Sequence, residues 1–346
     1  MNSKAVILLI FLLSLCPLFS IEKEISAFNT RAFNSLDLDP SNALYFADKS
    51  IYINNNSDKK EYLYSLYIKA RALDILNEKF LLIDTVKEGF NIIKEGNIKL
   101  DNNLFILFIA ETFLKYDMYE ELDTLLTIEE LVASLDDREV VYFSILRFKL
   151  NFELGIEIDL NKFEQILNLS KSLENDEILA MVYNFFGEYY KDIDLQKSLS
   201  YFLKSSEFEM SPYGVQSLLA LGEITNSTNY LKEAYLVSKF INKDPLEIEV
   251  LKSLCQKYKK VGDYKNLSIV QEDLIALQEK YSNFILLQNK KIQRLGFNQE
   301  VLLDKLEKSK TKESFLQLIL ISMAVAFFFF IIVLSVQSYR LRGFNI

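Results

Sequence analysis

Leu254-Cys255-Gln256-Lys257-Tyr258-Lys259-Lys260-Val261-Gly262-Asp263-Tyr264 is the stretch whose reading decides the fold. Leu254, Tyr258 and Val261 recur at steps of four and three, the spacing of one helical face, and the face runs into a Gly262-Asp263 turn. The same arrangement returns upstream. Leu221-Gly222 lies 33 residues before Leu254-Cys255, and Phe186-Gly187 lies 35 residues before that. Three residues beyond Gly187, Gly222 and Cys255 stand Tyr190, Thr225 and Tyr258, and the next segment brings Ser198, Ala234 or Leu267. Pro212 and Pro245 are 33 apart and each closes an apolar helical segment. With 4 prolines, 9 glycines and no strand-like alternation of useful length, the chain reads as helical nearly throughout. A period near 34 residues in such a chain signals a repeat array.

These residues resemble the tetratricopeptide repeat, a helix-turn-helix unit. It carries Leu-Gly, an aromatic three residues later, Gly-Asp-Tyr in the turn, then Ala, an aromatic, Ala and a closing Pro. Residues 254–264 match it best. Leu221-Gly222 through Tyr230-Leu231-Lys232-Glu233-Ala234 to Asp244-Pro245 comes next, then Phe186-Gly187-Glu188-Tyr189-Tyr190-Lys191 with Ser198, Phe202 and Ser205. A fourth match runs through Ile109-Ala110, Phe113, Lys115, Asp117, Tyr119, Leu122 and Leu126. The turns at 187–198 and 222–234 are a residue short, and Ala110 stands in the glycine place. Further, degenerate pairs are expected over 22–56 (Asp39-Pro40 opening a second helix), 58–97 and 137–174. The resemblance implies an all-α, right-handed solenoid of seven helix pairs over residues 21–280; a non-repeating α-bundle or a different α-solenoid is the alternative. Small residues at the helix contacts permit close approach, aromatics fill the space beside them, and neighbouring pairs stack around a concave groove. The 19 Tyr and 27 Phe are first of all core.

By the same resemblance the groove is lined by the first helix of each pair, including the residue after the glycine place. Here that residue is Glu111, Glu188, Glu223 or Gln256. Three acids in one column would favour a basic or polar partner; the alternative is an ordinary solvated face. The Lys/Asn pattern with which some relatives clamp a terminal carboxylate is not evident, Lys252 with Gln256 being its nearest echo.

Beyond residue 280 the pattern changes. Tyr281, Ile285, Gln288, Ile292, Leu295, Gln299, Leu302 and Leu306 alternate steps of four and three, a heptad seam with polar interruptions. Residues 281–313 are expected as a coiled coil or as a capping helix folded back on the last repeat. Ser314 to Tyr339 holds no charge and includes four successive phenylalanines, Phe327–Phe330. About 20 apolar residues match a bilayer core, so residues 314–337 are expected to span a membrane. Arg340 and Arg342 mark the tail, 338–346, as cytoplasmic. Lys4 followed by the apolar run Ala5–Leu15 reads as a signal peptide over residues 1–20, with an uncleaved anchor as the alternative. The repeat domain is thus expected on the extracytoplasmic side of a bacterial inner membrane.

Composition narrows the chemistry. The formal charge is −9, with 0 histidines and no Trp. Lys4, Arg340 and Arg342 lie at the ends, so the region between them is more acidic still, which disfavours nucleic acid. Without His there is no Ser-His or Cys-His pair and no imidazole metal ligand. Cys255, the one thiol outside the leader, reads as a small packing residue. No cofactor, metal or catalytic constellation is expected. The function expected is a non-enzymatic, membrane-anchored scaffold binding a protein or peptide, with self-association through 281–312 as an additional contact. The alternative is a ligand-sensing receptor subunit that signals through a partner. A carboxylate-based enzyme ranks third.

Overall fold

A computed structural model describes residues 22–55, 57–95, 103–133, 135–241 and 244–295, and every regular element among them is a helix. The expected leader, the membrane segment, the tail and the seam beyond residue 295 lie outside the described residues. None of the described helices is long and apolar enough to cross a membrane. The chain divides into two units, Met1–Asn289 and Lys290–Ile346, and the helix pairs belong to the first, except for the last residues of the final helix.

Among the described residues seven pairs succeed one another. α1 (22–35) pairs with α2 (Pro40–Asn54), α3 (Lys59–Ile75) with α4 (Lys79–Glu95), and α5 (Leu104–Lys115) with α6 (Tyr119–Leu126). After the four-residue α7 (Glu129–Val132), α8 (Asp137–Glu153) pairs with α9 (Leu160–Ser172) and α10 (Asp176–Tyr190) with α11 (Leu195–Ser206). α12 (Pro212–Ile224) pairs with α13 (Thr228–Ile241), and α14 (Asp244–Val261) with α15 (264–295). The first helices touch in succession: α3 meets α5, α5 meets α8, α8 meets α10, α10 meets α12, and α12 meets α14. They form one continuous wall.

Local chemistry sets the helix starts. Asp39, Asp58, Asp159, Asn175, Asp194 and Ser211 each turn a side-chain oxygen onto an amide of the first turn, and Asp136 with Glu139 forms a reciprocal capping box. Pro40 begins α2 as expected. Pro212 and Pro245, expected to close segments, instead stand in the first turn of the helices that follow, where a missing N–H removes no helical bond.

The stops are equally regular. Asn77, Asp117, Gly155 and Gly262 adopt left-handed φ values of 58°, 58°, 67° and 73°. The amide of the next residue then closes onto a carbonyl five back: Glu78 on Leu73 (2.9 Å), Met118 on Phe113 (2.8 Å), Ile156 on Asn151 (2.8 Å) and Asp263 on Tyr258 (3.0 Å). This is the Schellman closure, four times over, between the two helices of a pair.

Packing follows the small residues. A Cβ at Gly187 would lie 2.5 Å from the ring of Phe202, a side chain with no exposure, and one at Gly222 would lie 2.5 Å from Leu231 Cδ2. Ser198 Oγ donates to Gly187 O at 2.8 Å and Ser205 Oγ to Ala180 O at 2.9 Å, so these hydroxyls replace alanines without leaving a buried donor unpaired. Around residues 141–190 the core is aromatic: Phe163 sits 4.9 Å from Phe148 and 4.3 Å from Phe186, ring centre to ring centre. These separations suit edge-on contacts. Lys257, buried in α14, donates to both the backbone oxygen and Oδ1 of Asn226 in the preceding turn, tying pair seven to pair six.

Candidate functional site

In four of the pairs the left-handed residue fixes the register. Seven positions before it in α3, α5, α8 and α14 stand Ala70, Ala110, Phe148 and Cys255. In α10 and α12 the same place is taken by Gly187 and Gly222, the glycines pressed against the second helix. The residue after each of these points away from the pair contact. Read along the wall, that position is Arg71, Glu111, Lys149, Glu188, Glu223 and Gln256.

The three acids expected in this column are there, all exposed, as are Gln256 and Lys252. They do not form an unbroken acidic stripe. Arg71 precedes Glu111, and Lys149 separates Glu111 from Glu188. Both cations come from pairs whose motif is degenerate, with Ala70 and Phe148 in the glycine place. Arg71 also lies over the Phe108 ring at 5.6 Å, which holds its guanidinium on the wall between α3 and α5. Lys252 is one turn before Gln256 on α14, away from the Glu111–Glu188 segment.

Electrostatics confirm the adjacency. Water reaches Glu111, but the wall crowds it, and this desolvation pushes its carboxyl above the usual range; Lys149 and Arg71 pull it down in part, while Asp74 pushes it up. Desolvation pulls the Lys149 ammonium below its usual range, against the opposing pull of Glu111 and Glu188. Lys149 therefore sits between two carboxylates without closing an ion pair on either. One turn on, Lys115 and Asp74 do pair, at 2.8 Å, and the bond holds the Lys115 ammonium above its usual range despite burial. Tyr142 of α8 and Tyr213 of α12 share a hydrogen bond nearby, and burial pushes the Tyr142 hydroxyl up to about 12.

A cavity of 490 Å³ opens where α5, α8 and α10 end. Lys149, Glu153, Asn184 and Glu188 give it polar walls; Phe152 and Tyr189 give it aromatic ones. Asn184 is oriented by its amide, which donates to Ser217 Oγ on α12 at 2.9 Å. Glu188 leans toward Lys191 at 3.9 Å, a loose exposed pair of little energetic weight. Glu223 and Lys252 lie outside this cavity, and so does Glu111, although its field reaches Lys149. Among the described residues no group of three or more metal-ligating side chains comes together.

Sequence reasoning missed Arg71, Lys149 and Asn184. The only signal for the first two was their place six residues before a helix stop at Asn77 or Gly155, and that becomes readable once the stop is known to be left-handed.

No protein-family profile matches the chain, and no curated protein matches its sequence. Among solved structures it is similar to a Rap protein complexed with competence and sporulation factor, at 11% identity over 75% of this chain and 76% of that one, with a TM-score of 0.49. It is also similar to BtubC from P. vanneervenii, at 11% identity over 76% of this chain and 92% of that one, with a TM-score of 0.29.

Proposed function

We propose that the chain is a non-enzymatic scaffold that binds a protein or peptide along the wall of first helices, anchored by residues 314–337 with the repeats on the extracytoplasmic side of a bacterial membrane. The observation that carries the binding assignment is the column Arg71–Glu111–Lys149–Glu188–Glu223 beside the 490 Å³ cavity. Glu111 and Lys149, both desolvated by the wall, with Lys149 unpaired between Glu111 and Glu188, add nothing obvious to folding, because desolvation offsets their attraction. They do give a surface that discriminates between partners by sign and spacing. The alternating signs modify the partner expected from the acids alone. The segment between Arg71 and Glu188 suits a ligand of mixed charge, and the Glu188–Glu223 segment suits a basic one.

A photoreactive phenylalanine analogue placed at Asn184 should cross-link to a protein partner, while the same group at Phe240, exposed on the second helix of pair six, should not. Adducts from Phe240 and none from Asn184 would move the interaction surface to the second helices. The anchoring rests on the uncharged run Ser314–Tyr339 and the flanking arginines. The sensor reading draws on the same arrangement, since α15 leads toward that run.

A further inference from the structure

The last helix is longer than its partner requires. α14 has 18 residues, and α15 runs back along it as far as Lys280, whose Nζ meets Asp244 at the start of α14 at 3.1 Å. The first half of α15 is also held to α13, through the Tyr235 hydroxyl on Asp273 at 2.6 Å. Beyond Lys280 nothing of pair seven remains to pack against, yet the helix continues.

Its continuation reaches the other end of the array. Ser41, in the first turn of α2, places its Oγ 2.8 Å from the backbone oxygen of Gln288 and 2.7 Å from its Oε1, and the Ser41 amide donates to the same Oε1 at 3.3 Å. Tyr281 lies in the field of Asp74 and Lys115, where α3 and α5 end. This is the edge of the wall at which α5, α8 and α10 open into the cavity, and α5 belongs to both. The seat is polar. Tyr281, Ile285 and Gln288, three successive seam positions, are half-buried, whereas Leu286 and Leu287 are more than half exposed. Asn289 Oδ1 is buried with no hydrogen-bond partner among the described residues, which opposes docking. A helix end held by neutral hydrogen bonds, without a large apolar anchor, opens more readily than the body it leaves.

We propose that residues 281–289 are a detachable strap that occupies the edge of the binding wall and must leave Ser41 before a helical segment of the partner can seat there. This rests on the wall being the binding surface. The partner segment shares the strap's seam: an aromatic hydroxyl and a carboxamide seven residues apart, as in Tyr281 and Gln288.

The probe is the strap itself. A fluorescein-labelled peptide of residues 275–289 is titrated into the full-length chain purified in detergent, and into a Tyr281→Ala/Gln288→Ala variant whose own strap is loosened. The loosened chain should bind the peptide at least tenfold more tightly, and adding Ser41→Ala to it should weaken binding again. In the parent chain, amides of 281–289 should exchange with solvent at least tenfold faster than those of 264–280. Uniform protection along α15, or a loosened chain that dimerises by strap exchange and ignores the peptide, would overturn the proposal. Peptide binding at Ser41 together with cross-links only from Phe240 would keep the strap and dismiss the wall as the partner's site.

Discussion

Gly187 and Gly222 look equivalent in the sequence, but their neighbours differ. The first faces a rigid ring with no exposure, the second the end of a leucine side chain. Gly187→Ala should therefore destabilise more than Gly222→Ala, each within about 1–3 kcal/mol for an overpacked contact. Equal melting temperatures for parent and both variants would mean that the pairs are less tightly closed than described. Glu111 and Lys149 make the second test at this scale. A carboxyl held above its ordinary value contributes stability at pH below the unfolded value and loses it as pH rises through the folded one; an ammonium held below its ordinary value contributes above the unfolded value and loses it as pH falls through the folded one. In both, the charged form is the one that the fold disfavours. Lys149→Met alone should raise the Glu111 titration midpoint further, followed by carboxyl NMR against Glu111→Gln. The double variant Lys149→Met/Glu111→Gln, in which no carboxylate is left desolvated without its cation, should be more stable than Lys149→Met, by an amount on the order of 1 kcal/mol because water reaches Glu111. The acids of the column were legible because Gly187, Gly222 and Ala110 sit beside them in a recognisable motif. The cations were not, because Ala70 and Phe148 hide the register.

At the level of the helix, the repeat is written most plainly in its stops. Asn77 and Asp117 take the left-handed conformation that Gly155 and Gly262 take elsewhere. Asn77→Gly should leave stability nearly unchanged, while Asn77→Val should lower it by about 1–2 kcal/mol, the penalty of a branched residue in that region; thermal unfolding of the two variants decides it. A sequence reading that looks for Gly-Asp-Tyr finds 262–264 and stumbles on Asn77-Glu78-Lys79, since the backbone asks for a conformation and several residues supply it. Pro212 and Pro245 show the reverse: the residues were noticed, and their place at helix starts follows from the amide they lack. The reach of α15 had no local signal. Its heptad spacing announced a buried seam but not the surface that buries it, and Ser41 and Gln288 are individually unremarkable polar residues.

For the molecule as a whole, helix pairs that touch chiefly their neighbours make stability a sum of local terms. Circular dichroism of residues 21–312 should show a dominant helical spectrum, and more than about a tenth strand would contradict a solenoid of the kind the described residues form. The proposed topology has its own test. In a background without Cys16 and Cys255, a cysteine at Asn345 should be shielded from an impermeant thiol reagent in intact cells, while one at Lys59 should react once any outer envelope is opened. Labelling of both would reverse the assignment. The bond between Ser41 and Gln288 sets 247 residues between its partners in an array otherwise built from near neighbours. On a ribosome adding about 5–20 residues per second, the seat around Ser41 is made roughly 12–50 s before Gln288 is. Throughout that interval the newborn protein presents the edge of its first pairs uncovered. Anything already waiting at the point of synthesis meets that edge before residues 281–289 do.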